Sequence, residues 1–285
     1  MITIHTSPRS VRPRLRAVSR WFAAAGLAVA LAACAPVQTT QSGQVGINRT
    51  QYMSSLVSEA ELNQEAASQY QQILAQARAK GGLDPSAAQT QRVQAIARRL
   101  IAQAGVFRPD AKNWAWEVHV VKSDEVNAWC MPGGKIAVYT GLLDKIKPTD
   151  AELAAVMGHE ISHALREHAR EQVSRQMGTS VGISILAAVT GNQAVADLGS
   201  NLSEVMFNLP NSRANETEAD RMGVELAARA GYDPRAAISL WQKMGQSGGS
   251  APPEILSTHP SSQSRIADLE QASARVLPLY QKSKS

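Results

Sequence analysis

The stretch His159-Glu160-Ile161-Ser162-His163 (HEISH) lies inside a longer segment with helical periodicity. An α-helix turns about 100° per residue, so side chains four positions apart differ by only about 40°. His159 and His163 therefore point to one place, where their rings can hold a metal ion. Glu160 is placed to act as a base toward a water molecule there. The alternative is a charged helix face with two ordinary histidines, so a third ligand is needed to decide.

The helix that carries this motif is predicted to begin near Thr149, which can cap it with Glu152 three residues on. Apolar residues at helical spacing continue beyond the motif and predict an end near Met177. An apolar stretch at residues 181–190 is too short for a membrane span of about 20 residues and predicts a buried or surface-seated helix. Similar patterns predict further helices at 54–80, 86–104, 212–230, 234–245 and 261–275.

Three short segments before the motif favour strands because they are rich in aromatic and β-branched residues. They are Trp114–Val121, Val126–Cys130 and Lys135–Thr140, and they predict a small antiparallel sheet. The last of them is either an exposed edge that binds substrate or an interior strand. Residues 51–285 are therefore expected to form one mainly helical α+β domain.

The first 33 residues have the pattern of a secretory signal peptide. Five arginines and no acidic residue precede an apolar run from Trp21 to Ala33,. The ending Leu-Ala-Ala-Cys resembles the bacterial lipoprotein box, which predicts lipidation of Cys34; the alternative is a plain signal peptide with an incidental cysteine. The polar residues 34–50 are expected to form a flexible tether.

The net charge of +5 comes from the same leader. Five of the 29 basic residues and none of the 24 acidic residues precede Cys34, which leaves 24 of each. The calculated pI therefore gives no support to nucleic-acid binding, and no nucleic-acid partner is expected. Cys130 would have no partner in the chain if Cys34 carries lipid, and we expect a buried, inert thiol.

A third ligand is offered by the segment Asn215-Glu216-Thr217-Glu218-Ala219-Asp220 on a predicted helix. Glu216 and Asp220 are four residues apart and face one direction, whereas Glu218 points about 200° away from Glu216. Such a pair suits one ligand and one acceptor that orients a ligand histidine through its other ring nitrogen. The alternative is a solvated acidic helix start.

The combination of HEISHALREH, NETEAD and a late Thr-His-Pro resembles the gluzincin metalloproteases of the HtpX, BepA and LoiP type, which are related to CAAX prenyl endopeptidases. The resemblance extends from about Val118 to Leu269. It implies a zincin-like fold and one Zn²⁺ per chain, bound by His159, His163 and Glu216, with Asp220 as the orienting carboxylate. The leader favours the LoiP-like lipoprotein subgroup, since the sequence shows neither the extra membrane helices of HtpX nor the helical repeats of BepA.

The implied reaction is peptide hydrolysis with Glu160 as the catalytic base. The expected function is zinc-dependent degradation of unfolded or misassembled envelope proteins, with the enzyme held by lipid on the periplasmic side of the outer membrane. Ala35, rather than aspartate, after the lipidated cysteine fits outer-membrane sorting. The alternatives are a non-enzymatic zinc-containing assembly factor or holdase, and a hydrolase of peptidoglycan or another amide. No sequence feature indicates an oligomeric state.

The remaining histidines are assigned less directly. His259 has three open roles: a loop residue, a self-inhibitory plug of the zinc site as the resemblance implies, or a donor to the oxyanion. His168 follows His163 by five residues, about 140° round a continuous helix, and is not expected to be a ligand. His119 lies in a predicted strand and is expected to face solvent.

Overall fold

The helix that carries the HEISH motif, α3 (Asp150–Leu165), is buried on all sides. The computed structural model describes residues 34–55, 57–177, 198–246, 253–260 and 263–284, so the predicted signal peptide and the apolar helix at 181–190 lie outside the described residues. Fourteen of the 16 residues of α3 are buried, as expected for a helix that is apolar on every face,. The predicted capping box of Thr149 and Glu152 is present.

The other helices surround α3, and most match the predicted positions to within a few residues. Helix α3 packs against α2 (Ala87–Ile101) on one side and against α6 (Arg213–Arg229) and α7 (Ala236–Gln246) on another. Helix α8 (Gln263–Lys282) packs on α6 and α7. No helix in the described part of the chain combines the length and apolar character needed to cross a membrane. The helices are α1 (Glu59–Ala79), α2 (Ala87–Ile101), α3, α4 (168–177), α5 (Leu198–Phe207), α6 (Arg213–Arg229), α7 (Ala236–Gln246) and α8 (Gln263–Lys282).

The predicted continuation of α3 to Met177 is wrong. The helix ends at Leu165, and α4 begins at residue 168. Glu167 between them has a φ of 54°, in the left-handed region that stops a right-handed helix,. The break turns the chain, so the side chain of His168 does not take the direction that a continuous helix would give it.

The three-stranded sheet is mixed, with strand order β3 (Glu117–Val121), β5 (Lys135–Tyr139), β4 (Ala128–Met131). Strands β4 and β5 form an antiparallel hairpin, but β3 pairs with β5 in parallel. The expectation of an antiparallel sheet is therefore wrong for this second pairing. Strand β5 has the apolar side chains that suit a central position, and β4 forms the edge beside the motif helix,.

The expectation that residues 34–50 form a flexible tether is also wrong. Strand β1 (Cys34–Val37) pairs with β2 (Gln51–Ser54), and the loop between them packs on the domain. Val45 and Ile47 are each 2% exposed and belong to the main core. Because they are two isolated apolar residues among polar ones, they give no helical or strand period over a useful window.

Candidate metal centre

Helix α3 brings the two motif histidines together. The Nε2 atoms of His159 and His163 lie 3.0 Å apart, and both side chains are buried. Their spacing on one helix accounts for this approach, as predicted. Two ring nitrogens this close can each present a lone pair to the same metal ion.

Helix α6 supplies the predicted third ligand. Glu216 Oε2 lies 3.5 Å from His159 Nε2, and Glu216 Oε1 lies 3.4 Å from His163 Nε2. The two helices approach closely because each has a glycine at the crossing: a Cβ on Gly158 would lie 2.9 Å from the Gly223 carbonyl oxygen, and one on Gly223 would lie 2.8 Å from the His159 nitrogen. The glycine pair therefore places Glu216 against the motif.

Asp220 makes the contact that its spacing predicts. Its Oδ1 lies 3.0 Å from His159 Nδ1, on the side of the ring away from Glu216. Arg265 of α8 donates to both Asp220 oxygens, at 2.7 and 2.8 Å. The carboxylate is thus fixed by a charged partner, and it fixes the orientation of His159 in turn.

His259 lies within the cluster rather than in an ordinary loop position. It follows a single helical turn, Ile255–Thr258, and it is buried. Its Nδ1 is 2.9 Å from Glu216 Oε1 and 3.1 Å from His159 Nε2. Ligand atoms of His159, His163, Glu216 and His259, the donor cluster, all lie within 4.8 Å of one another.

Glu160 is buried beside the donor cluster and faces a cleft. Its Oε1 makes no hydrogen bond within the part of the chain that the structure describes, and it lies 3.5 Å from His259 Nε2. Burial raises the pKa of Glu160, and this outweighs the lowering effect of the nearby histidines,. The cleft lies next to β4, α1 and α5, and its apolar wall includes Leu62, Trp114, Trp129, Val205 and Met206.

The electrostatics of the donor cluster favour a bound cation. Burial alone would raise the pKa of Glu216, but the imidazoles of His259 and His159 hold it well below its usual range. Burial opposes a charge on His259, yet the carboxylates of Glu160 and Glu216 raise its pKa to about 9. The two carboxylates thus favour positive charge at this position, which a proton on His259 supplies and which a metal ion can supply in its place. Imidazole nitrogen and carboxylate oxygen are donors that Zn²⁺ accepts, so these residues fit a zinc ion.

A sequence profile described as Peptidase family M48 matches residues 87–273, which include α3, α6 and His259. This range is more than half of the chain and contains every residue of the donor cluster. The chain belongs to peptidase family M48.

Curated relatives of this M48 chain are named as metalloendopeptidases or proteases. It is 44% identical over 158 residues to the mitochondrial metalloendopeptidase OMA1 of Arabidopsis thaliana, which covers 55% of this chain and 32% of the relative. The match to OMA1 of Schizosaccharomyces pombe is 38% over 185 residues, 63% of this chain and 51% of the relative. The beta-barrel assembly-enhancing protease of Escherichia coli (strain K12) is 32% identical over 204 residues, 68% of this chain and 41% of the relative. The chain thus spans from about a third to about half of the length of these relatives.

In this M48 chain, sequence reasoning missed the partner of the second motif histidine. His168 Nδ1 lies 2.9 Å from His163 Nδ1, and His168 Nε2 lies 3.1 Å from Glu218 Oε2. The sequence analysis placed His168 about 140° from His163 because it assumed one continuous helix. The helix instead breaks at Glu167, so that angle does not apply. The sequence offered one hint of this contact. Glu218 was placed on the face of α6 opposite Glu216 and was given no role, so it was free to serve as the partner of His168.

His119 differs modestly from expectation. It is partly buried, its Nδ1 lies 2.7 Å from Asp84 Oδ2, and it is not a member of the donor cluster. Cys130 is buried in β4, and burial raises its pKa well above the usual value, as expected for an inert thiol. Trp114 and Trp129 line the cleft.

Proposed function

We propose that this chain is a zinc-dependent endopeptidase that cleaves unfolded or misassembled proteins. The observation that carries the proposal is a buried His159–His163–Glu216 set with the carboxylate of Glu160 beside it at a cleft. A bound zinc ion supplies a Lewis acid that polarises the scissile carbonyl and acidifies the attacking water. The names of the curated relatives support the same activity.

Glu160 is the proposed catalytic base. Its Oε1 has no hydrogen-bonding partner among the described residues, so it can accept a proton from the attacking water and deliver it to the leaving amine,. The raised pKa brings the carboxylate nearer to the range in which it can both accept and release a proton,. Asp220 holds His159 in place while this transfer occurs.

The edge strand β4 is the proposed docking strand for substrate. It is one of the two outer strands of the sheet, and its residues Ala128, Trp129 and Cys130 line the cleft beside Glu160. An extended peptide can pair with such an edge through main-chain hydrogen bonds, which are independent of side-chain sequence. A protease for unfolded proteins needs this tolerance. The earlier alternative of β5 as the edge is excluded because β5 is central.

The Glu160→Gln variant tests the catalytic role. We expect it to retain zinc and the fold but to lose casein cleavage by at least about 100-fold, the typical contribution of a general base. Glu152→Gln is a matched control, because Glu152 is a buried carboxylate of the same helix that is held by Ser239 and Lys243. Cleavage by Glu160→Gln at the wild-type rate would overturn the mechanism.

The position of His259 raises a second candidate function, a structural zinc site in a protein that is not an enzyme. With His259, the site offers four protein donors, and a closed set of four is typical of structural zinc,. We propose instead that His259 is a reversible plug of a catalytic site. His259→Ala should then raise casein cleavage. A large fall in casein cleavage would indicate that His259 donates to the oxyanion. If His259→Ala loses zinc, and neither it nor the wild type cleaves casein, the non-enzymatic assembly factor is favoured.

We further propose that the chain belongs to the LoiP-like lipoprotein subgroup and is anchored through lipid on Cys34, on the periplasmic side of the outer membrane. The basic, acid-free leader, the Leu-Ala-Ala-Cys ending and Ala35 support this. Envelope proteins that fail to assemble would then be its substrates. Mass spectrometry of the mature N-terminus should find a diacylglyceryl cysteine, and Cys34→Ser should move the protein from the membrane to the soluble fraction. An unmodified N-terminus would contradict the anchor.

A further inference from the structure

His163 is connected to a buried carboxylate through a second histidine. The contacts run from His163 Nδ1 to His168 Nδ1 at 2.9 Å, and from His168 Nε2 to Glu218 Oε2 at 3.1 Å. All three side chains are at least nine-tenths buried, with exposures of 8%, 1% and 6%. We call these three residues the histidine relay.

The relay has only one arrangement of protons that is compatible with metal binding by His163. A neutral His163 that binds through Nε2 carries its proton on Nδ1 and donates it. His168 Nδ1 must then be the acceptor, so the His168 proton lies on Nε2 and is donated to Glu218. Each of the two short contacts is satisfied by one proton.

The carboxylate at the end of the relay is fixed by two arginines. Arg49 donates to Glu218 Oε2 at 2.8 Å, and Arg166 donates to both oxygens at 3.1 and 3.2 Å. Arg49 also pairs with Glu171, which balances the two positive charges with two carboxylates. Glu218 therefore has little freedom to rotate, and neither has the His168 ring that donates to it.

We propose that His168 is a positioning residue for the metal: it accepts the Nδ1 proton of His163 and thereby fixes the tautomer and ring orientation in which His163 binds zinc. Asp220 does the same for His159 directly. This inference rests on the metal site of the proposed function but not on peptide cleavage. Partners of this kind typically contribute about 10- to 100-fold to metal affinity.

Two variants of His168 with nearly equal size separate this role from packing. Leucine fills the space but offers no acceptor to His163. Asparagine places an amide oxygen close to the position of Nδ1, so it retains the acceptor. Both lose the donor to Glu218, so both should lower the melting temperature of the metal-free protein to a similar extent.

Zinc affinity, measured by competition with a chromophoric chelator on folded protein, is the deciding measurement. We expect His168→Leu to bind zinc about 10- to 100-fold more weakly than the wild type. His168→Asn should recover most of that loss. Wild-type affinity in His168→Leu, or equal losses in both variants, would overturn the proposal.

Two further measurements keep the test decisive. His119→Leu removes a histidine with a comparable carboxylate contact outside the relay, and it should bind zinc as the wild type does. If the His168 variants do not fold, nitrogen NMR of the zinc-loaded wild type with labelled histidine decides the question, and a proton on Nδ1 of His168 overturns the inference. A wild-type protein that binds no zinc would instead refute the proposed function, and the inference with it.

Discussion

The two motif histidines are held in two different ways. His159 contacts the carboxylate of Asp220 directly, and Arg265 fixes that carboxylate. His163 reaches the carboxylate of Glu218 only through His168, and an arginine from the N-terminal segment helps to fix it. The first arrangement lies wholly within the family match at 87–273, whereas Arg49 lies outside it. The two histidines of one short motif are thus held in place by different parts of the chain.

The substitution Gly223→Ala should have the largest effect, because it disturbs both arrangements at once. A methyl group there would meet backbone atoms of Gly158 and His159 at 3.0 Å or less, so the two helices must separate. We expect a loss of unfolding free energy of about 3 kcal/mol or more, together with loss of bound zinc. Thermal unfolding and zinc content measure these changes.

Gly245→Ala is the matched control for this substitution. Gly245 also lies in a helix, but an added methyl group would meet no described residue within 4 Å. We expect a gain in stability of up to about 1 kcal/mol from helix propensity, with zinc content unchanged. A stable, zinc-loaded Gly223→Ala protein would show that the close helix crossing is not required.

The substitution Asp220→Asn should weaken the direct arrangement only. It removes the charge that holds Arg265 and Nδ1 of His159, both of which are buried. We expect zinc affinity to fall about 10- to 100-fold and unfolding free energy to fall by about 2 kcal/mol, since the buried Arg265 loses one carboxylate partner and keeps Glu216 as the other. Chelator competition and urea denaturation measure the two effects. An unchanged zinc affinity would show that Asp220 does not orient His159 for metal binding.

The substitution Arg49→Gln should have the smallest effect. Its side chain is 30% exposed, and Arg166 still holds Glu218 when Arg49 is lost. We expect a loss of unfolding free energy of about 1 kcal/mol and a drop in zinc affinity smaller than that of His168→Leu. Arg92→Gln, which removes an exposed pair with Asp150, should change neither quantity measurably,. An equal effect of both substitutions would show that the N-terminal segment does not support the relay.

Local sequence patterns predicted the contact of His159 with Asp220 well. The capping box at Thr149 set the start and phase of α3, and the four-residue spacing placed Glu216 and Asp220 on one face of α6. Such patterns depend only on the geometry of a single helix. The contact between Asp220 and His159 then needed only the assumption that the two helices meet.

The relay could not be predicted by the same reasoning. Glu167 adopts a left-handed conformation although it is not glycine, and the residues around it continue an apolar helical pattern. Arg49 is distant in sequence from Glu218 and was assigned to a flexible tether, so nothing local joined the two. The parallel pairing of β3 and β5 was missed for a related reason, because it depends on which strand of a hairpin faces β3.

If Cys34 carries the proposed lipid, the pairing of β1 with β2 sets how far the enzyme can act from that anchor. A free chain of the length of residues 34–50 would allow excursions of roughly 20 Å from the membrane surface. Instead, Cys34 is already paired opposite Ser54, and the following loop is packed on the core. With the proposed lipid on Cys34, the cleft stays at a constant height above the bilayer. Proteins would then be selected by which of their segments emerge at that height, as well as by their loss of structure.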